Sequence, residues 1–176
     1  HYPDVTIRSG EVIKLRELDF HDLTPILKLQ EIVYQSMPDQ SMLAPLTREE
    51  LIESLHLDFP IGAFNPEDEL VAFTLLVANR KGKRNLASDG NLDWHKCATL
   101  DMVMVHPSYR GNGFQQILIN SVVESACNEQ IQYILATVAP DNAHSLDNFK
   151  KLGFVVTIPN LSKYGGLQRA LLLKQK

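Results

Sequence analysis

The sequence predicts a single α/β (α+β) domain: one twisted sheet of about six or seven strands, mixed but mostly antiparallel, with helices on both faces. Apolar stretches of strand length recur along the chain, such as Leu70–Val77 and Cys97–Val105. Segments with an apolar period of 3.6 residues lie between these stretches, as expected of amphipathic helices. Hairpin-like strands come early and strand–helix units come later, an order typical of a mixed sheet flanked by helices.

Length and composition fit one domain with a substantial core. Of the 176 residues, 44% are hydrophobic and 22% are charged, which argues against disorder. The near-continuous apolar stretch at residues 70–78 is far shorter than the ~20 residues of a membrane span. A net charge of −4 argues against a nucleic-acid surface, which needs a basic stripe. We therefore expect no membrane or nucleic-acid partner, and either a monomer or a homodimer.

Cysteine use indicates the compartment. The two cysteines, Cys97 and Cys127, both lie within apolar patterns. The first residues lack the charged-then-apolar pattern of a signal peptide. We expect a reduced, cytoplasmic protein with one domain over residues 1–176, in which residues 1–10 form a loose N-terminal segment.

The first part of the chain is predicted to form a strand and two helices. Val12–Arg16 is the strand, and either Asp19 or Asp22 would cap the helix that follows. One side of that helix is apolar and carries Leu23, Ile26, Leu27, Ile32 and Val33. Thr47 and Glu50 form a capping box that opens a second, short helix.

A hairpin and a long polar connection are predicted next. Ile61–Phe64 and Leu70–Val77 would pair around a turn at residues 66–68. The connection from Asn79 to Asp93 contains the basic cluster Arg80–Arg84, which we expect to be a solvated loop tip. Cys97–Val105 then has the composition of a buried strand.

The rest of the chain is predicted to contain two helices and three strands. Asp141 or Asn142 would cap the second of these helices, and Gly153 would end it. The predicted elements are a helix from Gly113 to about Asn128, a strand at Ile131–Val138, a helix ending near Leu152, and strands at Phe154–Ile158 and Leu167–Leu173 around Tyr164-Gly165-Gly166.

The turn at residues 106–113, with the sequence His-Pro-Ser-Tyr-Arg-Gly-Asn-Gly, joins a strand directly to a helix N-terminus. Glycines let a ligand approach the backbone closely, and unpaired N–H groups at a helix N-terminus bind anions such as phosphate esters. A dinucleotide motif would need a third glycine where Gln116 stands, and an acid at the end of the next strand. A GxxxxGK[ST] phosphate loop is also absent.

A second motif follows this turn by about 30 residues. Arg110-x-x-Gly113 is followed by Asn142-x-x-Ser145-x-x-x-Phe149-x-x-x-Gly153-Phe154. The pair resembles the GNAT superfamily of acetyl-coenzyme A-dependent N-acyltransferases. The likeness covers nearly the whole chain in element order and is sharpest between about Cys97 and Phe154. It implies a GNAT-like fold with splayed central strands, and acetyl-CoA as the co-substrate.

The resemblance also implies where the coenzyme binds. Backbone N–H groups of the turn would cradle the pyrophosphate, and the strand before it would pair with the pantetheine arm. Asn142 would hydrogen-bond the pantetheine amides, within the motif that continues through Ser145 and Phe149. The residues implied for the turn are Arg110, Gly111, Asn112, Gly113, Phe114 and Gln115, and those implied for the strand are Val103, Met104 and Val105.

The chain departs from the family pattern at two positions. Gln115 stands where the family prefers Gly or Ala, so its side chain must point away from the phosphates or contact them. Phe149 stands where many members carry the Tyr that is credited with protonating the leaving thiolate. Tyr164 is the first substitute for that acid and Tyr109 the second, although loop anchoring and turn packing remain alternative roles. A thiolate is also a fair leaving group without an acid, since a thiol pKa is roughly 8.5.

Asp101 is the candidate for handling the acceptor's proton. An amine with a pKa of ~10.4 is mostly protonated at neutral pH and must lose a proton before it attacks. Asp101 lies within an apolar strand, and a period of two places it on the same face as Thr99, Val103 and Val105. Several GNAT relatives carry a catalytic His or carboxylate there. Asp101 would act as the base or bind the acceptor ammonium; alternatively, backbone groups or a cation satisfy it.

The function implied is an N-acetyltransferase that moves an acetyl group from acetyl-CoA to a primary amine of a small molecule or peptide. The amine would attack directly in a ternary complex, because neither motif contains a cysteine. The alternatives are transfer of a different acyl group and a non-catalytic acyl-CoA sensor, which Phe149 favours. We expect no metal site, since the alternating Asp93, His95 and Cys97 lack a fourth ligand at a known spacing.

Overall fold

The computed structural model describes residues 2–78, 80–82 and 84–176 and contains one eight-stranded sheet of order β1-β2-β3-β4-β5-β6-β8-β7. The strands are β1 Val5–Thr6, β2 Val12–Glu17, β3 Phe59–Phe64, β4 Leu70–Val77, β5 Cys97–Val105, β6 Tyr133–Val138, β7 Val155–Lys163 and β8 Leu167–Gln175. The β5–β6 pair is parallel and the other pairs are antiparallel. The predicted fold class is therefore confirmed.

The sheet has more strands than the six or seven predicted, because β1 lies inside the segment expected to be loose. Val5 pairs with Ile13 and Thr6 with Val12. The next residue, Ile7, is buried. A strand of two residues is too short to show an alternating pattern, so periodicity could not reveal it.

Four helices flank the sheet: α1 Leu23–Ser36, α2 Arg48–Leu57, α3 Phe114–Ala126 and α4 Ala143–Lys151. Asp22 is the N-cap residue of α1, but its carboxylate binds Arg16 instead of the helix N-terminus, while Asp19 caps a short 3-10 turn just before it. Thr47 and Glu50 form the reciprocal capping box predicted for α2. None of the helices in the described part of the chain is long and apolar enough to cross a membrane.

The core is divided between the two faces of the sheet. On one face, α3 packs on β3, β4 and β5 around Phe114, Leu118 and Val122. On the other face, α1 and α2 pack around Ile26, Leu51 and other apolar residues. Helices therefore cover both faces, as predicted, and β4 and β5 lie between them.

The connection from residue 79 to residue 93, which was predicted to be polar, is in part buried. Leu86 and Ala87 belong to a third, smaller apolar cluster that includes Cys97 of β5. The prediction of a polar connection is wrong for these two residues, because they cover the sheet beside β5. Asn79 and Lys83, which belong to the same prediction, lie outside the described residues.

Candidate functional site

The two central strands separate halfway along their length. The pairing of β5 with β6 runs from Cys97↔Tyr133 to Leu100↔Ala136. Beyond that point β5 stays paired with β4 as far as Val105, and β6 stays paired with β8 as far as Val138. The strands thus open a wedge, and one main-chain edge of residues 103–105 faces it. This is the splay of central strands that the family resemblance implied.

A β-bulge lies where the wedge begins. Leu75 is paired with Met102 and Leu76 with Leu100, so Asp101 is an extra residue on β5. The alternation of side chains shifts by one residue there: Leu100 packs on the α3 side, and so does Val103. Period two had placed Asp101 on the same face as Val103 and Val105, and the bulge makes that prediction wrong.

Asp101 instead lies on the α2 side of the sheet, where it forms an ion pair with Arg84. Arg84 Nε donates to Asp101 Oδ2 over 2.9 Å, and its Nη2 donates to the same oxygen. The Asp101 side chain is 8% exposed and that of Arg84 14%. Burial raises the pKa of Asp101, while the positive charge and hydrogen bonds of Arg84 oppose that rise. Asp101, the candidate base, is therefore a carboxylate in a buried ion pair with Arg84.

The Asp101–Arg84 pair belongs to a larger buried ion cluster between α2 and β5. The fully buried carboxylate of Asp58 accepts two hydrogen bonds of 2.8 Å from Arg80 Nε and Nη2. Arg84 also donates to the Ser54 hydroxyl and lies 3.9 Å from Asp58 Oδ2. Arg80 and Arg84 therefore point inward, and their predicted solvation is wrong because buried carboxylates attract them.

The turn after β5 is open around its two glycines and leads directly into the N-terminus of α3. Pro107–Tyr109 form a 3-10 turn, and Gly111 and Gly113 have φ values of +82° and +75°. A Cβ at either glycine would meet no atom of the described part of the chain within 4 Å. The N-cap residue of α3 is Gly113, and no side chain among the described residues caps this helix. The N-terminal turn of α3 therefore has the donors and the space to bind an anion.

The side chains of the turn bind other parts of the chain. Arg110 donates to Ser36 Oγ at the end of α1 over 3.0 Å. The Asn112 side chain accepts from the Arg8 backbone N–H and donates to the Tyr109 carbonyl. The Tyr109 hydroxyl donates to Glu11 Oε2 and accepts from Asn65. These contacts fix the shape of the turn and leave its backbone as the binding surface.

Gln115 links α3 to α4. Its Nε2 donates to Ser145 Oγ over 3.3 Å, and its Oε1 accepts from Asn148 Nδ2 over 3.0 Å. Asn142, and not Asp141, caps α4: its Oδ1 accepts from the Ser145 N–H over 3.2 Å. The side-chain oxygen of Asn142, Oδ1, is thus engaged in the cap, and the side-chain nitrogen, Nδ2, is the group that can donate to a ligand.

Phe149 belongs to the core on the α3 side of the sheet. It is 5% exposed, and its ring packs edge-to-face against Phe154 with the centroids 5.0 Å apart. An aromatic ring held in this way contributes apolar contact only. The side chain has no donor for a leaving group.

Tyr164 lies in the β7–β8 turn with a φ of +53°. Its hydroxyl and Thr137 Oγ1, on the separated part of β6, are 2.8 Å apart. Although Tyr164 is 43% exposed, desolvation of its hydroxyl raises its pKa; the Thr137 hydrogen bond opposes this, and the negative charge of Asp101 raises the pKa further. The hydroxyl of Tyr164, one of the two predicted catalytic residues, therefore lies at the separated part of β6.

The remaining candidates have structural partners. His106 Nδ1 accepts from the Ser108 N–H, and Asp93 contacts His95 through a carboxylate oxygen. Cys97 is fully buried, which raises its pKa to about 11. Within residues 2–78, 80–82 and 84–176, no three His, Cys, Asp or Glu side chains are placed to hold a metal ion.

Two surface cavities lie in different places relative to the wedge between β5 and β6. The larger, of about 660 Å³, lies beside β2 and the β3–β4 turn and contains none of the predicted site residues. The smaller, of about 250 Å³, lies between the end of β6 and the start of β8. The separation of β5 and β6, not cavity size, therefore locates the candidate site.

Sequence reasoning missed three residues near the wedge: Arg84, Thr137 and Arg169. Arg169 is 4% exposed, on β8. An arginine within the apolar run of residues 167–173 was a signal that could have identified it. Thr137 and Arg84 gave no such signal, because their roles depend on tertiary contacts.

The fold agrees with that of several solved structures. The GNAT domain of PAT from S. lividans is 18% identical, with a TM-score of 0.71 over 100% of both chains. A phosphinothricin acetyltransferase from Sinorhizobium meliloti, solved in complex with AcCoA, is 17% identical with a TM-score of 0.68 over 93% of this chain and 88% of that one. The ribosomal-protein-S18-alanine N-acetyltransferase of Escherichia coli is 13% identical with a TM-score of 0.67 over 93% of both.

These identities support the fold alone, and no curated protein sequence matches the chain significantly. The sequence model of the acetyltransferase (GNAT) family, however, matches residues 26–154, which is well over half of the chain. That range contains the wedge, the glycine turn and the cap of α4. The chain therefore belongs to the acetyltransferase (GNAT) family.

Proposed function

We propose that the protein is an N-acetyltransferase that moves an acetyl group from acetyl-CoA to a primary amine of a small molecule or peptide. The observation that carries this proposal is the wedge between β5 and β6, which ends beside the uncapped N-terminus of α3. A coenzyme with a pyrophosphate and an extended, amide-bearing arm needs an anion site next to a free strand edge. Membership of the GNAT family supports the same assignment.

The residues present suit such a coenzyme. The backbone of residues 110–115 would bind the pyrophosphate, and the open space around Gly111 and Gly113 supports this role. The main chain of residues 103–105 would pair with the pantetheine arm, and Asn142 would donate to one of its amides. Bound acetyl-CoA would supply an acetyl group activated as a thioester.

The acceptor is mostly an ammonium at neutral pH, and it first loses one proton to water. Two proton transfers then accompany the attack: the neutral nitrogen bonds to the acetyl carbon as the carbon–sulfur bond breaks, the nitrogen gives up a second proton, and the sulfur takes one. We assign the proton that the nitrogen loses during attack to Asp101, because both hydrogen bonds from Arg84 go to its Oδ2, and no hydrogen bond within the described residues engages its Oδ1. Tyr164 is assigned as the acid, because its hydroxyl is 2.8 Å from Thr137 Oγ1 on the separated part of β6 and a tyrosine hydroxyl is protonated at neutral pH. Direct attack is favoured over an acyl-enzyme, because the buried Cys97 thiol is a poor nucleophile.

The first test is binding of acetyl-CoA by the purified protein. A ligand present at 100 times its Kd stabilises the folded state by about 2.7 kcal/mol, which for a chain of this size raises Tm by about 5–10 °C. The second test is free-thiol release with a panel of polyamines, amino acids, antibiotics and peptides. Acceptor-dependent release supports the transferase, and no rise in Tm contradicts the proposal. Binding without acceptor-dependent release would indicate the sensor, and faster turnover of a longer acyl-CoA would indicate another acyl group.

Gly113→Ala tests where the coenzyme binds. Alanine at a φ of +75° strains the backbone by about 1–2 kcal/mol, and its methyl group would extend into the space in front of the turn. We expect the Kd of acetyl-CoA to rise by about tenfold or more. Gly10→Ala is the matched control, because Gly10 has a φ of +90° and equally open surroundings in another turn. Equal changes of Kd in both variants would argue against a pyrophosphate site at Gly113.

A further inference from the structure

One buried arginine differs from the others in having no carboxylate partner. Arg169 is 4% exposed, and no carboxylate of the described chain lies within 4.0 Å of its nitrogens. The other inward-pointing arginines each have one: Arg16 has Asp22, Arg80 has Asp58 and Arg84 has Asp101. Buried charges in proteins are normally paired, so Arg169 is an exception that needs a partner.

The guanidinium of Arg169 donates hydrogen bonds to two neutral groups. Its Nη1 donates to the Gln168 carbonyl and its Nη2 to the Ser41 carbonyl, both over 2.8 Å. Burial lowers the pKa of Arg169, and the charge of Asp39 opposes that shift. A guanidinium stays charged in proteins, and it has five N–H groups, of which these contacts use two. The remaining donors suit an anion from outside the chain.

A small cavity lies beside the Arg169 side chain. Its volume is about 250 Å³, below the roughly 300–1,000 Å³ of pockets for drug-sized ligands, which suits a small molecule. Asp39 and Asp141 also line it, and hydrogen bonds from the Ser41 hydroxyl and N–H lower the pKa of Asp39. One cation and two carboxylates around one cavity complement a zwitterion better than they complement a phosphate with two negative charges.

The cavity adjoins the candidate site through Tyr164. The Arg169 guanidinium carbon lies 5.7 Å from the centre of the Tyr164 ring, and the Tyr164 hydroxyl meets Thr137 at the wedge. An anion bound to Arg169 would therefore lie near the ring of Tyr164, the residue proposed as the acid. In an α-amino acid a single carbon separates the carboxylate from the amine. A carboxylate bound to Arg169 would therefore keep the amine close to Tyr164.

We infer that Arg169 binds the carboxylate of the acceptor, and that the acceptors are free amino acids. This inference rests on the proposed function, whose acceptor it specifies. The guanidinium would form a charge-assisted pair with the carboxylate and orient the amine toward the wedge.

Matched acceptor pairs test the inference. Thiol release is measured for a series of L-amino acids and for the corresponding amino-acid amides, which keep the amine and side chain but lack the carboxylate. We expect kcat/KM to be about ten- to hundredfold higher for the acids, the range for a hydrogen bond to a charged group. Comparable kcat/KM values for acids and amides in the wild-type protein would overturn the inference without any variant.

Arg169→Gln then tests the residue itself. We expect the acid-to-amide ratio of kcat/KM to fall to near one, while the KM of acetyl-CoA stays unchanged. Arg48→Gln, which removes an exposed arginine on α2, is the matched control and should keep the wild-type ratio. An equal loss for acids and amides in Arg169→Gln would assign Arg169 to anchoring the Ser41 loop, and a raised KM for acetyl-CoA would assign it to the coenzyme. Either result overturns the inference.

A binding measurement separates this inference from the proposed function. The same acids and amides are compared by the rise in Tm that each gives with coenzyme A present. Acids that stabilise the protein when amides do not would support the carboxylate site even if no acceptor were acetylated, in which case the transferase proposal alone fails. Acetylation of amines with equal stabilisation by acids and amides would leave the transferase and remove the carboxylate site.

Discussion

Replacing Asp101 by Asn should destabilise the protein strongly, because it removes the carboxylate from a buried ion pair. The Asp101 side chain is 8% exposed and that of Arg84 14%, so the guanidinium that remains has little access to water. Asparagine has nearly the same shape, so the change removes charge and little packing. The effect therefore reports mainly on electrostatics.

The contacts of Arg84 give the magnitude. Removing one partner of a buried pair costs about 3–5 kcal/mol in free energy of unfolding. Arg84 would keep the Ser54 hydroxyl, the Glu50 carbonyl and Asp58 at 3.9 Å, which compensate in part. We therefore expect the low end, about 3 kcal/mol, which for a chain of this length lowers Tm by about 6–12 °C.

Urea unfolding followed by circular dichroism measures this loss. Asp93→Asn is the control, since the Asp93 side chain is 52% exposed and its replacement should change the free energy by less than about 0.5 kcal/mol. The double variant Asp101→Asn/Arg84→Gln should lose less than the sum of the single variants, because it leaves neither charge unpaired. A loss below about 1 kcal/mol for Asp101→Asn, or additive losses, would refute the reasoning.

Three further predictions concern single side chains. Tyr164→Phe should lower kcat about tenfold or more if Tyr164 is the acid, whereas Tyr109→Phe, the comparison variant, should affect mainly stability; steady-state kinetics and urea unfolding separate the two effects. Burial raises the pKa of Asp22, but hydrogen bonds from Arg16 outweigh it and hold that pKa below its usual value. The stability that Asp22 contributes is therefore complete above about pH 4 and is lost as the pH falls through the folded-state pKa. Urea midpoints measured from pH 7 to pH 3 should fall less in Asp22→Asn than in the wild-type protein. With a pKa of about 11, only about a thousandth of Cys97 is thiolate at pH 8, so a thiol reagent should label it slowly until denaturant is added; fast labelling of the native protein would contradict its burial.

Local patterns predicted most of the fold and the glycine turn. Strand and helix periods identified seven of the eight strands because each is long enough to show a period, and β1 is not. The turn was predictable because its chemistry is in the backbone, and Gly111 and Gly113 mark it directly. The cap of α4 could only be narrowed to Asp141 or Asn142, since both residue types cap helices equally well.

The predictions that failed all depend on tertiary contacts. The bulge at Asp101 arises from pairing with β4, where Leu76 is opposite Leu100 and Leu75 opposite Met102. A period of two cannot show such an insertion, so the face of Asp101 was predicted wrongly. Arg84 is 17 residues from Asp101 in the chain, and a basic cluster in a polar loop gives no indication that it turns inward.

The wedge also bears on how tightly the two parts of the sheet are joined. Beyond Leu100 and Ala136, no β5–β6 pairing is recorded between the half containing β1–β5 and the half containing β6–β8. An extended ligand paired with residues 103–105 would act as an additional strand at this seam. It should therefore slow amide hydrogen exchange on both sides of the seam, at residues 103–105 and at Thr137 and Val138, and make the two half-sheets open as one cooperative unit.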